Sequence, residues 1–193
     1  LEVNVHVVTG SSSSMQNMVA CVNRAGVEVV DTVLVQLAAS EGVLTPDEKE
    51  LGVCLVDIGG GTTDFAVFER GSLWHTGVLA VGGDHFTNDI AVGLRMPIPD
   101  AEKLKRRSGS ALTALVPPDD TMEVASMAGR RPRVMQRRVL SEILQPRAEE
   151  ICHLLWDEIR RAGYEKSLHS GIVLTGGGSM LEGMTEIAEE IFD

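Results

Sequence analysis

The chain has few of the residues that build disulfide scaffolds or metal sites. Its 193 residues include only three cysteines, Cys21, Cys54 and Cys152, which lie far apart and in no metal-binding spacing. The five histidines are equally scattered. This pattern argues against a disulfide framework and a cysteine–histidine metal cluster, and it is typical of reduced thiols in the core of a cytoplasmic protein.

Long apolar runs and two common nucleotide-binding motifs are also missing. No stretch reaches the roughly 18 apolar residues of a membrane span, and no basic segment leads into an apolar signal sequence. The spacings GxxxxGK[ST] and GxGxxG do not occur, which argues against a P-loop or a Rossmann site. The chain starts at Leu1 rather than at a methionine and stops within a helical pattern, so we expect it to be part of a longer protein.

Charge is unevenly distributed along the chain. The formal net charge of −11 argues against general nucleic-acid binding. Residues 103–147 nevertheless hold ten basic and four acidic side chains, a net of +6, whereas the remaining residues hold seven basic and 24 acidic ones, a net of −17. We call residues 103–147 the basic island.

Hydrophobic periodicity predicts a mixed α/β protein in which a three-stranded meander precedes most of the helices. The predicted strands are 3–8, 53–58, 64–69, 72–81 and 172–175. The predicted helices are 15–24, 84–94, 100–107, 133–143, 147–162 and one that begins near 180. Pro146 is expected to separate or kink two of these helices, and the turn at 117–120 to form a hairpin within 111–124.

The stretch VDIGGGTTDF places three glycines between two predicted strands. A tight glycine turn can point successive backbone amides at an anion, and threonine hydroxyls can add donors. Asp57, at the strand end, could hold the water shell of Mg²⁺ or orient an attacking water. The residues therefore predict a site for nucleotide phosphates, with a purely structural hairpin as the alternative.

A second triple-glycine turn, in IVLTGGGSM, follows the last predicted strand and leads toward a helix. Such a turn can present helix N-terminal amides to a ligand and lets a base or ribose approach the backbone. Two such turns together favour nucleotide binding over structural roles alone. A third turn, Gly82-Gly83-Asp84, opens another helix, for which we expect Asp84 to be the N-cap rather than a metal ligand.

These motifs resemble the second phosphate loop and the adenosine loop of the actin/Hsp70/sugar-kinase superfamily. The segments VLVQLAASEGVLTPDEKELGVCLVDIGGGTTDFAVF, GRRPRVMQRRVLSEILQPRAEEI and SGIVLTGGGSMLEGM further resemble the FtsA family of cell-division proteins. The resemblance implies an α/β, actin-like (ribonuclease-H-like) ATPase domain with an inserted α+β subdomain. Residues 27–96 and 146–193 would form subdomain IIA, 97–145 subdomain IIB, and 1–26 a remnant of subdomain IC.

The resemblance also implies residue roles in binding ATP with Mg²⁺. Asp57 would be the magnesium and water carboxylate, while Glu102 and Lys105, on one helical face, would reach the ribose and base from IIB. The glycine-loop residues would contact the nucleotide. Those at the phosphates would be Gly59, Gly60, Gly61, Thr62 and Thr63, and those at the adenosine Gly176, Gly177, Gly178 and Ser179. A solvated charged helix face is the alternative for Glu102 and Lys105.

Partners follow from the same resemblance. Subdomain IIB of the family docks the acidic and apolar C-terminal tail of FtsZ, and the basic island suits such a peptide. We expect Arg133 and Arg137, on one helical face at i, i+4, and Arg147 to contact it. A solvated basic face, or direct binding of anionic lipid, is the alternative. The family's anchor, a C-terminal amphipathic helix, and its first phosphate loop are not found in these residues.

The resulting hypothesis is an ATP-binding scaffold rather than an enzyme. It would recruit FtsZ to the inner face of the cell membrane at the division septum and, in the intact protein, self-associate into actin-like filaments. We expect weak nucleotide binding or none, and no useful hydrolysis, from these 193 residues. The alternatives are a phosphotransferase or phosphohydrolase of the same superfamily, or a pilus-assembly or rod-shape scaffold.

Overall fold

A computed structural model describes residues 5–124 and 132–192. The first predicted strand, 3–8, therefore lies partly outside the described residues, and its part from Val5 onward has no regular secondary structure. Part of the basic island, residues 125–131, is also outside them. Within the two described ranges, no helix is long and apolar enough to cross a lipid bilayer.

The centre of the protein is a mixed sheet with the strand order β3-β2-β1-β6. Strands β1 (Val53–Ile58), β2 (Thr63–Glu69) and β3 (Ser72–Leu79) form the predicted antiparallel meander, and β6 (Ile172–Thr175) runs parallel to β1. Every residue of β1 except Asp57 is buried, because helices cover both faces of the sheet. This explains the continuous apolar run of that strand.

Helices surround the sheet and an adjoining two-stranded ribbon. They are α1 (Ser12–Arg24), α2 (Val35–Val43), α3 (Pro46–Leu51), α4 (Gly83–Leu94), α5 (Ile98–Ser108), α6 (Arg137–Ala162) and α7 (Met184–Phe192). Helix α1 begins earlier than predicted because the Ser11 hydroxyl accepts a hydrogen bond from the amide of Ser14. No residue of α1 is buried.

Two apolar clusters hold the sheet between its layers. The larger one packs alternate β1 side chains, among them Val56 and Ile58, against α4, α6 and α7. The smaller one packs the other β1 face, including Leu55, against residues of the α2–α3 region such as Leu44. Burial raises the thiol pKa of Cys54 and Cys152, as expected for core cysteines, whereas the same prediction is wrong for Cys21, which is exposed.

The hairpin predicted within 111–124 is wrong. Strand β4 (Thr121–Val124) pairs with β5 (Arg133–Gln136), not with the residues before the proline turn. Those residues have other partners: the amide of Ala111 donates to the carbonyl of Glu182, and a short 3-10 helix follows at Thr113–Leu115. Tertiary pairing therefore outweighs the local hairpin pattern.

The predicted helices 133–143 and 147–162 are one continuous helix, α6. It begins at Arg137, four residues later than predicted. Residues Arg133–Gln136 are a strand because they complete the ladder with β4, whose Met122 and Val124 are buried. The helix then continues through Pro146 without ending. Leu144 and Ala148, on either side of the proline, are both fully buried, so packing compensates for the hydrogen bond that proline cannot donate.

Candidate functional site

The first glycine loop joins β1 to β2 and is held from one side by α4. The amide of Gly59 donates to Thr62 O at 2.9 Å and closes the turn. The amides of Gly83 and Asp84 donate to the carbonyls of Gly59 and Gly60 at 2.8 and 2.7 Å. Within the described part of the chain, the amides of Gly60 and Gly61 have no hydrogen-bond acceptor. Two adjacent free amides form a suitable anion site.

The two threonine hydroxyls that were predicted to donate to a phosphate instead donate to acceptors within the protein. The Thr62 hydroxyl donates to Asp64 Oδ2 at 2.9 Å, and the buried Thr63 hydroxyl donates to Val81 O at 2.8 Å. The other Asp64 oxygen accepts from Gln36 Nε2 at 3.2 Å, a contact that the sequence did not indicate. In this structure the loop therefore offers an anion its backbone amides rather than its hydroxyls.

The second glycine loop packs directly onto the end of β1. Gly176 has a positive φ of 85°, and a Cβ there would lie 2.2 Å from Asp57 Oδ1. A Cβ on Gly178 would lie 2.3 Å from Ile58 Cγ2. Only glycine permits this approach, which brings both loops and the half-buried Asp57 together. The Ser179 hydroxyl donates to Gly176 O at 2.8 Å and stabilises the turn.

The helix expected near Met180 begins later. A short 3-10 helix spans Gly178–Met180, and α7 starts at Met184. The glycines of this loop therefore do not lie at the N-terminus of α7, and the expectation of helix N-terminal amides at this position is wrong. Asp84 likewise is not an N-cap: Gly82 holds that position of α4, and Asp84 lies in the first turn.

Glu102 and Lys105 form an ion pair on α5, with 2.7 Å between Oε2 and Nζ. Lys105 Nζ also donates to Gly83 O and to the Thr87 hydroxyl, each at 2.8 Å. Burial alone would raise the pKa of Glu102, but hydrogen bonds from Lys105 and Thr87 and the charges of Lys105 and Arg106 lower it. The ion pair, through the contacts of Lys105 with Gly83 and Thr87, connects α5 to the start of α4.

A cleft of about 640 Å³ lies between α5, the start of α4 and the two glycine loops. This volume is typical of small-molecule sites. Both glycine loops line it, as do Glu102 and Lys105. The sequence did not indicate several further lining residues, namely Asp84, Arg106, Arg107, Met180, Leu181 and Glu182. Arg137 also lines this cleft, although we had assigned it to a partner surface. Basic, acidic and apolar side chains therefore all face the cleft.

The three predicted partner-binding arginines do not share a surface. Arg133 lies in β5, so its expected i, i+4 relation to Arg137 on a helix is wrong. Arg137 Nε donates to Ser108 O at 2.8 Å, and its terminal nitrogens pair with Asp120 and Glu182. In contrast, Arg133 is exposed, with one terminal nitrogen bonded to Leu94 O at 2.8 Å.

Arg147 forms an ion pair that connects α6 to α4. Its Nε and Nη2 atoms donate to the two Asp89 oxygens at 2.8 and 3.1 Å, and Nη1 pairs with Glu150. Hydrogen bonds to Asp89 raise the pKa of Arg147. This bidentate contact fixes α6 against α4, and direct contact with a peptide would require breaking it.

The chain is similar to known cell-division proteins of one family. A family model described as "Cell division protein FtsA" matches residues 54–193. FtsA of Pseudomonas aeruginosa is 52% identical over 192 residues, which cover 100% of this chain and 46% of the relative. FtsA of Escherichia coli K12 is 42% identical over 199 residues, covering 100% of this chain and 47% of the relative. The chain thus spans about half the length of these relatives.

Solved structures show the same fold at much lower identity. MreB5 of Spiroplasma citri bound to ADP superimposes with a TM-score of 0.74 and 21% identity, covering 95% of this chain and 59% of the MreB5 chain. A PilM–PilN type IV pilus biogenesis complex superimposes with a TM-score of 0.69 and 19% identity, covering 92% of this chain and 45% of the matched chain. The fold is therefore actin-like, and with a family match over residues 54–193 the chain belongs to the FtsA family of cell-division proteins.

Proposed function

We propose that the chain is the nucleotide-binding and FtsZ-recruiting part of an FtsA-type scaffold. The cleft between the two glycine loops carries this proposal, because separate sequence segments supply the free amide of Gly60, the carboxylate of Asp84 and the Glu102–Lys105 ion pair to one site. The matched MreB5 structure, with the same fold, is described as bound to ADP. ATP would regulate assembly and partner binding rather than supply energy, so we expect no phosphate release above background from these residues.

The residues fit ATP with Mg²⁺ in a defined orientation. The free amides of Gly60 and Gly61 would hold the terminal phosphates, and Asp57, at the sheet end between the loops, the water shell of Mg²⁺. The second loop, from Gly176 to Ser179, would lie along the adenosine. Glu102 and Lys105 would reach the ribose and base, while Thr62 and Thr63 maintain the loop by their internal hydrogen bonds.

Lys105→Ala should remove most of the thermal stabilisation that MgATP gives. At a ligand concentration ten times Kd, binding stabilises by about 1.4 kcal/mol, which raises the Tm of a protein of this size by about 3–5 °C. Lys105 is 14% exposed and its ammonium donates to Gly83 O, a cleft residue. Lys103 on the same helix is 79% exposed and, among the described residues, pairs only with Asp100. The measurement is differential scanning fluorimetry of both alanine variants with and without MgATP.

Each variant's own unliganded Tm is its baseline, so loss of the Lys105 contacts within the protein is not counted as loss of binding. Lys103→Ala should keep the wild-type shift. Equal shifts in wild type and Lys105→Ala would show that ATP binds outside this cleft.

We further propose that the FtsZ C-terminal tail docks on β5 and the adjoining end of α5. Arg133 and Val134 are exposed on β5, Val134 to 68%. Beside them, a pocket of about 200 Å³ is lined by apolar and basic side chains, such as Met96 and Arg107, together with two acidic ones. Apolar side chains of the peptide would contact the apolar part of this surface, and its carboxylates would pair with the basic side chains around Arg133. Binding of a labelled tail peptide tests this, with Arg133 as the residue in direct contact.

This docking would place the protein at the cytoplasmic face of the cell membrane at the division septum. Relatives named as cell-division proteins support that location. Self-association into actin-like filaments and a peripheral membrane anchor are proposals for the intact protein, supported by its actin-like fold and family. Septal localisation of a fluorescent fusion of the intact protein, dependent on FtsZ, is the expected observation.

A further inference from the structure

Arg137 connects three separate segments at the edge of the cleft. Its guanidinium donates to the C-terminal carbonyl of α5 at Ser108, to Asp120 before β4, and to Glu182 after the second glycine loop. The side chain is only 19% exposed. Burial alone would lower the pKa of Arg137, but hydrogen bonds and charges from Glu182 and Asp120 raise it. All three nitrogens of this guanidinium are thus engaged by acceptors within the protein.

The same place also carries backbone contacts between the two sides of the cleft. Ser110 and Glu182 form a parallel bridge, and the amide of Ala111 donates to Glu182 O at 2.6 Å. A Cβ on Gly109 would lie 2.8 Å from Leu181 Cδ1, so the α5 end touches the loop closely. The Arg137–Glu182 ion pair adds an electrostatic contact to this junction between the end of α5 and the second glycine loop.

We infer that Arg137 is a positioning residue for the nucleoside end of the cleft, not a contact for the FtsZ tail. By holding Glu182 to Ser108 it fixes the loop from Gly176 to Leu181 at the spacing that a base and ribose require. This inference rests on the proposed nucleotide site. The phosphate end is formed by Gly59–Gly61 and α4, which Arg137 does not touch.

The first test measures the loop without any ligand. Arg137→Lys keeps the charge but cannot hold three acceptors in a fixed fork. Amide hydrogen exchange should therefore accelerate by about tenfold or more at Ala111, Leu181 and Met184, the change that loss of one charge-assisted hydrogen bond produces. Exchange within β1 should not change.

Arg138→Lys is the matched control, because the neighbouring Arg138 is 51% exposed and, within residues 5–124 and 132–192, pairs only with Glu142 one helical turn away. It should leave all of these amides unchanged. Unaltered exchange at Ala111 and Leu181 in Arg137→Lys would overturn the inference, since the loop would then be held by its other contacts alone.

The second test separates the two ends of the cleft. Titration calorimetry with MgATP and with inorganic tripolyphosphate should show about a tenfold loss for ATP in Arg137→Lys, and unchanged affinity for tripolyphosphate. Equal losses for both ligands would indicate general destabilisation and contradict a role at the nucleoside end. If wild type binds neither, the proposed nucleotide site fails and the positioning role fails with it, while the exchange data still report whether Arg137 holds the loop.

Discussion

Replacing Gly176 by alanine should lower the free energy of unfolding by about 2–4 kcal/mol. A residue other than glycine at its φ of 85° costs about 1–3 kcal/mol. The added Cβ would also lie 2.2 Å from Asp57 Oδ1 and 2.6 Å from Ile58 O, so β1 or the loop must move. Because those atoms end the central strand, the damage should extend from the site to the stability of the whole sheet.

Gly177→Ala is the control for this substitution. Gly177 has helical backbone angles, and a Cβ there would meet no atom within 4 Å. Alanine should be neutral or slightly stabilising at that position. Urea denaturation followed by circular dichroism measures both variants. Equal stability of the two would contradict the close packing of the second glycine loop on β1.

Leu144→Ala should destabilise the protein by about 2–5 kcal/mol, the range for large-to-small changes at fully buried sites. Leu144 is 0% exposed and lies in the central cluster two residues before Pro146. Its packing there helps to keep α6 helical on both sides of the proline. If the helix ended at Pro146 instead, this side chain would be near a frayed end and its removal would cost little.

The control is Leu154→Ala on the same helix. Leu154 is 42% exposed, so its truncation should cost no more than about 1 kcal/mol. Chemical denaturation midpoints at constant m-value give both differences. A small effect at Leu144, comparable to that at Leu154, would contradict a continuous, packed α6.

The meander and both glycine loops could be predicted from sequence because their signals are local. β1 is apolar except for Asp57, glycines flank it on both sides, and the turn after β6 contains three consecutive glycines. The i, i+3 spacing of Glu102 and Lys105 also predicted that they share one face of a helix. The structure places both at the cleft, with Lys105 bonded to Gly83 O.

The errors arose where distant contacts outweigh local pattern. Arg133–Gln136 continues the helical spacing of α6, yet it forms a strand because β4 offers a pairing edge. The start of α7 was also misplaced, since Gly183 is packed against Leu112 from another segment. Hydrophobic periodicity describes one segment at a time and does not show which other segment it contacts.

The role of Arg137 could not be inferred from sequence for the same reason. Its ion partners, Asp120 and Glu182, lie 17 and 45 residues away along the chain. A basic island indicates an acidic partner, but that partner can be within the protein itself. Arg147 with Asp89, 58 residues away, is a second case.

Recruitment of FtsZ through the exposed basic and apolar surface at β5, as proposed above, is best tested by fluorescence anisotropy with a labelled FtsZ C-terminal tail. Wild type should bind saturably, and Arg133→Glu should weaken binding by about tenfold. Arg161→Glu is the matched control: it makes the same change in net charge at a 74% exposed arginine at the far end of α6. It should bind as wild type does. Unchanged affinity in Arg133→Glu, or no saturable binding by the folded wild-type chain, would contradict the proposed docking of the FtsZ tail at β5.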